Sequence, residues 1–496
     1  MRLETLFTSQ GLSPKALIHL MMCIGLAVFT YAVVRQQLVL ALMISALPIG
    51  LAVIGYGFVH PRFIYLLYTI YAFFFTTVSR YIHVNQLSAG LEAILAYGII
   101  AIIIISYLKK GSIVWSHAIN VLTLSYIPWL AFSLFQLSNP GTTSEGVFTG
   151  VRIWILRTFL LYIFLSLLSN NVKTLRMGIN IVAFITTLAF IKLLWQKYVG
   201  FDQAERYWLY VEQAARTHII GSGIRYFSFF TDAANFGGFM AAAGLVFSII
   251  GVHASKIQLK VLYLSIALAA FIGMLMSGTR GAIVIPMVGL MLYCLLCKNF
   301  KILFICAIIG IFVYSFFSFT NIGNGNEYIR RARTAFHSSD DASMNVRLRN
   351  RLEIAEYISK HPIGAGIKSS IPKLWSNPDG TYTMGTLPPD SFFVNIWIQT
   401  GTGGLILYLF VCTLIILEGS RIVLFKIKNK QLRHIMAAFT CATLGIWASG
   451  YTGNNPDLPP TDFIIPAMMA FVMNGAVIDK ELEQNNLMTT KTNHAI

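Results

Sequence analysis

Residues 89–107 read AGLEAILAYGIIAIIIISY, nineteen positions carrying a single charge, and the run stops against Lys109 and Lys110. A helix needs roughly 20 mostly apolar residues to cross about 30 Å of hydrocarbon. The stretch shows none of the apolar-polar alternation of a barrel strand, so it is expected to cross the membrane as a helix. Working outward, the same pattern recurs toward the N-terminus at 16–34, 38–59 and 63–79, and downstream at 117–136, 150–168 and 176–196. It returns at 236–253, 261–276, 281–297, 302–319, 392–417, 435–451 and 461–478.

Composition agrees with this pattern. The 496 residues are 56% hydrophobic and only 11% charged, with a mean hydropathy of +0.68. A soluble domain carries about 25% charged residues. The expected fold is an all-α integral membrane protein of about 12–14 transmembrane helices, with a large periplasmic loop between the late helices. No internal repeat divides the chain, so residues 1–478 read as one polytopic membrane domain, and the polar stretch 479–496 reads as a disordered cytoplasmic tail. The leader before Lys15 runs straight into a spanning segment without a small-residue cleavage site, so no cleavable signal peptide is expected.

Lysine and arginine in short loops stay cytoplasmic. With the N-terminus inside, Arg62, Lys109, Lys173, Lys256, Lys298 and the 421–433 cluster all fall inside, and the C-terminus follows them. These loops absorb much of the formal charge of +17, which therefore does not point to nucleic acid. Two long loops, 197–235 and 320–391, are left facing outward, and both are rich in arginine against the trend. In the second, Glu327 to Lys360 reads as one or two amphipathic helices, followed by a Gly/Pro/Asn-rich segment through Pro389. The six cysteines lie in or at the ends of expected helices; Cys294 and Cys297 have CxxC spacing, but no second pair completes a metal site.

Four clusters gather at the outward face. GIRYFSFFTDAANFGG holds Arg225 and Asp232; SGTRGA holds Arg280; MNVRLRNRLEIAEYISKHPIGAGI holds Arg347, Arg349, Arg351 and His361; PPDSFFVNIWIQTGTGG holds Asp390, Gly401 and Gly404. Each has a plain reading. A lone arginine near a helix end snorkels to the interface, three arginines on a helix form a solvated face, and an Asp after Pro-Pro caps a helix. Together they have another. Guanidinium groups are always charged and bind phosphate oxygens in pairs, and a carboxylate beside them suits work on a hydroxyl. Arg152 and Arg157 either join this site or pair with carboxylates in the bundle.

These motifs, over residues 216–417, resemble the O-antigen ligase and polymerase family of lipid-linked glycan transferases. Asp390-Ser391, nine residues and Gly401-x-x-Gly404 are similar to its polar pair followed by GxxG. HPIGAGI resembles its HP-φ-G-x-G element, SGTRGA its Ser-Arg-Gly turn, and the segment from Arg225 through Asp232 its Arg-to-Asn-x-x-Gly stretch. The ligase pattern opens with His where this chain has Asp390, which brings it nearer the polymerase and exopolysaccharide branches.

The resemblance implies transfer of a glycan from an undecaprenyl-diphosphate carrier to a glycan or lipid acceptor hydroxyl, on the outer face of the bacterial inner membrane. It implies no metal and no cofactor. Asp390, Arg225 and Arg280 become the catalytic candidates, and Arg347, Arg349, Arg351, Arg216 and Arg157 the candidates for holding the diphosphate. Lipid A–core ligation and protein O-glycosylation are the alternatives within the class. Outside it stand a glycolipid flippase or secondary transporter, which calls for mid-bilayer charges and paired broken helices, and a scaffold subunit, which predicts indifference to single arginine changes.

Overall fold

The computed structural model describes residues 30–31, 50, 52–83, 85–111, 113–150, 152–153, 157–221, 223–297, 300–333, 342–376 and 382–493. The first two expected spans, 16–34 and 38–59, fall largely outside these. Among the described residues, eight helices are long and apolar enough to cross a membrane, or nine if a pair bent by 55° counts as one span. The protein is an all-α, multi-pass membrane protein.

The principal helices are α1 (Pro61–Ile82), α2 (Ala89–Leu108), α3 (Tyr126–Phe135), α4 (Thr158–Leu168) and α5 (Val172–Tyr198). They are followed by α6 (Ala233–Val252), α7 (Ile257–Met276), α8 (Val284–Cys297) and α9 (Phe300–Phe319). The loop helices α10 (Glu327–Arg333) and α11 (Ala342–Lys360) lead to α12 (Phe392–Phe425), α13 (Lys430–Ser449), α14 (Thr461–Met473) and α15 (Gly475–Asn493).

Helix α6 forms the centre and is buried along almost its whole length. Its sequence AANFGGFMAAAG explains why, because small side chains let neighbouring helices approach without an energetic penalty in lipid. A Cβ placed on Gly237 would sit 2.2 Å from the Ser277 hydroxyl, and one on Gly244 2.8 Å from the Phe271 ring.

Four expectations change. The 150–168 span contracts to the eleven residues of α4, preceded by π-helical geometry at Arg152, Ile153 and Arg157. The stretch after Lys360 contains a β-hairpin, Pro372–Ser376 paired antiparallel with Tyr382–Thr386, in addition to turns. The stretch expected as a tail begins inside the helix α15 (Gly475–Asn493), whose first turns are anchored where Asp479 accepts backbone N–H groups from Lys428 (2.8 Å) and Asn429 (3.0 Å) and Glu481 accepts from Val172 (2.8 Å).

The fourth change lies in α12, expected as the single span 392–417. Gly401 has φ +68° and breaks the helix. The rings of Phe392 and Tyr408 lie 5.6 Å apart, whereas sixteen residues of straight helix would separate them by about 24 Å. The segment 392–400 is therefore bent sharply against 402–425 at Gly401. The remaining length, at about 1.5 Å per residue, still suffices to cross a bilayer.

Candidate active site

Helix α7 ends in the turn Ser277-Gly278-Thr279-Arg280. Gly278 has φ +59°, and a Cβ there would lie 2.9 Å from Arg331 Nε and 3.3 Å from Arg225 Cγ, so the turn is wedged between two arginines. The Thr279 hydroxyl donates to the Ala233 carbonyl (2.9 Å) and accepts from Arg225 Nη2 (3.1 Å). One threonine thus joins the turn, the start of α6 and Arg225.

Arg225 follows a two-residue hairpin, Ile219–Ile220 with Gly223–Ile224, and its Nη1 donates to the Thr217 carbonyl at 3.0 Å. Its loop is held from below. Gln196 of α5 exchanges two 2.9 Å hydrogen bonds with the Ser228 backbone, and the Arg80 guanidinium donates to the Phe230 and Thr231 carbonyls while lying 4.1 Å from the Trp208 ring centroid. His218 is buried and donates from Nδ1 to the Ala214 carbonyl (2.9 Å), which leaves Nε2 to accept from Ala233 N at 3.2 Å. Asp232 caps α6 through the Asn235 N–H at 2.8 Å.

Burial pushes the Arg225 pKa down from the usual guanidinium value; Asp232 opposes this, and Arg280 and Arg347 add to it. Arg280 and Arg347 therefore both lie close enough to oppose the charge on Arg225. Arg225 Nε has no partner among the described residues, an unfilled donor inside a concentration of positive charge.

Arg347, Asn350 and Arg351 occupy one face of α11, at the i, i+3 and i+4 spacing. Arg347 Nη1 donates to the Thr452 carbonyl (2.6 Å), and Arg351 Nη2 to the Tyr451 carbonyl (3.0 Å), with its guanidinium 4.2 Å from the Tyr451 ring centroid. Asn350 Nδ2 donates to Asp390 Oδ2 at 2.7 Å. Asp390 is not the helix cap its position suggested. Ser391 takes that role, its hydroxyl accepting from Val394 N at 3.3 Å, and Asp390 adopts φ +57° just outside the helix with its carboxylate directed at α11.

The turn after α13 holds these pieces together. The Phe392 N–H is shared between the Gly450 and Gly453 carbonyls at 3.0 and 3.1 Å, Tyr451 and Thr452 hold the α11 arginines, and Asn455 packs against Gly238 of α6. A Cβ on Gly281, next to Arg280, would lie 2.1 Å from the Thr452 hydroxyl. Arg280, Arg347 and Asp390 are thereby arranged around residues 450–455.

The HPIGAGI and GxxG motifs meet elsewhere, at the break in α12. The break frees the Ile398 and Gln399 carbonyls, which accept from Ala365 N (2.7 Å) and Gly366 N (3.2 Å). Gly364, at φ +84°, lies so close that a Cβ would be 2.6 Å from Gly401 N. His361 ends α11, stacked on Tyr357 at 4.1 Å. Gly404 packs under Thr400 and Phe132. These residues shape the bent first segment of α12, which follows directly on Asp390.

The remaining candidates stand apart. Arg349 and Arg216 are exposed, and neither enters these contacts. Arg157 is buried and pairs with Asp462 (3.1 Å) and Glu92 (3.7 Å), with Arg152 also 3.6 Å from Glu92. Of the two readings left open for Arg157, the structure shows the carboxylate pairing. Sequence reasoning missed Thr279, Arg331, Asn350 and the 450–455 turn. The last was visible as GYTGNNPDLPP, a run of turn-forming residues between two apolar segments.

A cationic cluster at one end of a helical bundle, flanked by a carboxylate just before the broken helix α12, defines a polytopic membrane protein with a built polar site. Residues 264–409 match the O-antigen ligase family model, so this part of the chain is similar to an O-antigen ligase domain. The match spans Arg280, Arg347, Asp390, Gly401 and Gly404; Arg225 and Asp232 lie upstream of it. It supports glycan transfer of the ligase and polymerase type. No curated protein matches the chain.

Proposed function

We propose that the chain transfers a glycan from an undecaprenyl-diphosphate carrier to an acceptor hydroxyl at the outer face of the bacterial inner membrane, in the manner of a polysaccharide polymerase. The reading rests on one observation: Arg280 and Arg347, from two other elements, both lie close enough to buried Arg225 to oppose its charge, and Arg225 Nε has no partner among the described residues. Such crowding is unfavourable unless an anion offsets it.

In this reaction the acceptor oxygen attacks the anomeric carbon, the bond from that carbon to the diphosphate oxygen breaks, and the electron pair leaves with the diphosphate. Fixed guanidinium groups stabilise that growing charge without a divalent cation. Asp390, steadied by Asn350, orients the acceptor hydroxyl and takes up or relays its proton. The polymerase branch is favoured by Asp390 itself, which stands where the ligase pattern has His.

The test is purified protein supplied with a lipid-diphosphate glycan. Arg225→Ala and Asp390→Ala should each abolish transfer while the protein still inserts and folds. Full turnover in both variants refutes the assignment. A strain lacking the chain then separates the branches on a surface-glycan gel: loss of long chains indicates a polymerase, and loss of all attachment to lipid A–core indicates a ligase.

A further inference from the structure

A cavity of about 280 Å³ opens at the end of the bundle away from the arginine cluster. Helix α1 fixes its place. Arg80, near one end of α1, holds the Phe230 and Thr231 carbonyls of the Arg225 loop, whereas Arg62, at the other end, lines the cavity. Eighteen residues of helix separate the two by about 27 Å, close to the thickness of the hydrocarbon layer. The cavity therefore lies at the opposite membrane face, the one that Lys and Arg in short loops assign to the cytoplasm.

Its lining is divided. Arg62 and Lys109, which follows α2, are exposed and stand at the rim together with His60. Leu167 and Leu168, at the end of α4, are buried and form the floor. At about 30 Å³ per water the space would hold roughly nine, enough for a phosphodiester and its glycerol.

The plain reading of cations at this face is a topology signal, solvated and in need of no ligand. Their surroundings go further. Among the described residues neither Arg62 nor Lys109 has an ion pair or a side-chain hydrogen bond. At the same end of the bundle Arg421 pairs with Glu418 (2.6 Å) and Lys428 with Glu483 (3.4 Å). The Glu481 carboxylate, close to the cavity wall at Asn171, is occupied by the Val172 N–H at 2.8 Å. Arg62 also stands in the first turn of α1, which holds no acidic residue, so the helix dipole opposes its charge. Two unmet cations above an apolar floor suit a phospholipid of negative charge. Its phosphate meets Arg62 and Lys109, and its glycerol ester and first methylenes meet the leucines.

We infer that this cavity binds the headgroup of an anionic phospholipid. The assignment is independent of the transfer reading and stands or falls without it.

The probes are phosphatidylglycerol and phosphatidylcholine, which share a phosphodiester and differ in net charge. Each is titrated into the full-length protein in detergent and followed by native mass spectrometry. The first phosphatidylglycerol should bind about tenfold or more tighter than the first phosphatidylcholine, since two cations contribute about fivefold each. Arg62→Gln and Lys109→Gln should each weaken phosphatidylglycerol about fivefold and leave phosphatidylcholine unchanged. Arg421→Gln, whose charge Glu418 already meets, should bind as the parent does.

Equal affinity for the two lipids, or unaltered phosphatidylglycerol binding in both rim variants, overturns the assignment. Competition by millimolar glycerol 3-phosphate marks a site for free phosphoesters and overturns it as well. Because these cations also direct insertion, Ile113→Trp supplies a variant that keeps both charges. Its indole fills the cavity from the loop after α2 and must remove the preference for phosphatidylglycerol. A preference that persists there places the lipid elsewhere.

Discussion

Asn350 holds Asp390 across a 2.7 Å hydrogen bond, joining the loop helix α11 to the start of α12. Both residues are removed from solvent on one side, and Asp390 sits at φ +57°, where a non-glycine residue persists only if its surroundings hold it. The first prediction follows. Asn350→Ala leaves the carboxylate in place but free to swing, so glycan transfer should fall about tenfold to a hundredfold, the range of a hydrogen bond to a charged group. Initial rates with lipid-diphosphate glycan measure it. Wild-type rates in Asn350→Ala mean that Asp390 needs no such support.

The three arginines of α11 are distinguishable. Arg347 and Arg351 hold the 451–452 carbonyls, and Arg347 couples to Arg225, whereas Arg349 is exposed. Arg347→Ala should lower turnover about a hundredfold or more, as loss of one preorganised donor does. Arg349→Ala should stay within about twofold, as surface substitutions do. Equal losses in both would return the trio to a general electrostatic role.

The fold class was legible because a membrane span is written in a continuous run of apolar residues, as in 89–107, and needs no partner to be recognised. The break at Gly401 was not legible as a sharp bend, since it depends on the Gly364 turn some thirty residues earlier supplying donors to the Ile398 and Gln399 carbonyls. Of the site, the arginines announced themselves as charges out of place. Asn350 did not, because an Asn inside a charged helix carries no signal until its position on the Arg347 face is combined with Asp390. Ser391 shows a similar limit: Asp and Ser both cap helices, and only the backbone geometry decides between neighbours.

The junction of the glycine motifs gives a stability prediction. A Cβ on Gly401 would stand 1.9 Å from the Pro362 carbonyl oxygen at a φ of +68°. Strain and clash together should cost roughly 3 kcal/mol or more in Gly401→Ala. The thermal unfolding midpoint in detergent should drop accordingly, and an unchanged midpoint would show that the bend is not fixed there.

His218 confers a pH dependence. Burial lowers its pKa from the ordinary 6.5, the Ala214 carbonyl raises it, Asp232 raises it, and Arg225 and Arg80 lower it. The folded loop thus prefers the neutral ring. Its contribution to stability is complete above the unfolded value of 6.5 and drains away as pH falls toward and through the lowered folded value. A protonated Nε2 can no longer accept from Ala233 N, so the Arg225 loop loosens in acid. Transfer activity should therefore decline below about pH 6.5, and His218→Asn, which does not titrate, should flatten that limb. A decline identical in the variant assigns it to another group.

Arg157 separates a packing role from a role in holding diphosphate. It is buried between Asp462 at 3.1 Å and Glu92 at 3.7 Å, so its charge is already met inside the bundle. Removing one member of a buried pair leaves the other uncompensated and costs about 3–5 kcal/mol, whereas replacing both with apolar residues of similar volume is often neutral. Arg157→Met alone should therefore lower the unfolding midpoint sharply, and Arg157→Met with Asp462→Leu should recover much of the loss, with Glu92 still held by Arg152 at 3.6 Å. A residue that served the diphosphate would behave differently: turnover would fall in the single variant without a change in midpoint, and the second substitution would restore nothing. Thermal unfolding and initial rates, measured on the same three preparations, decide between them.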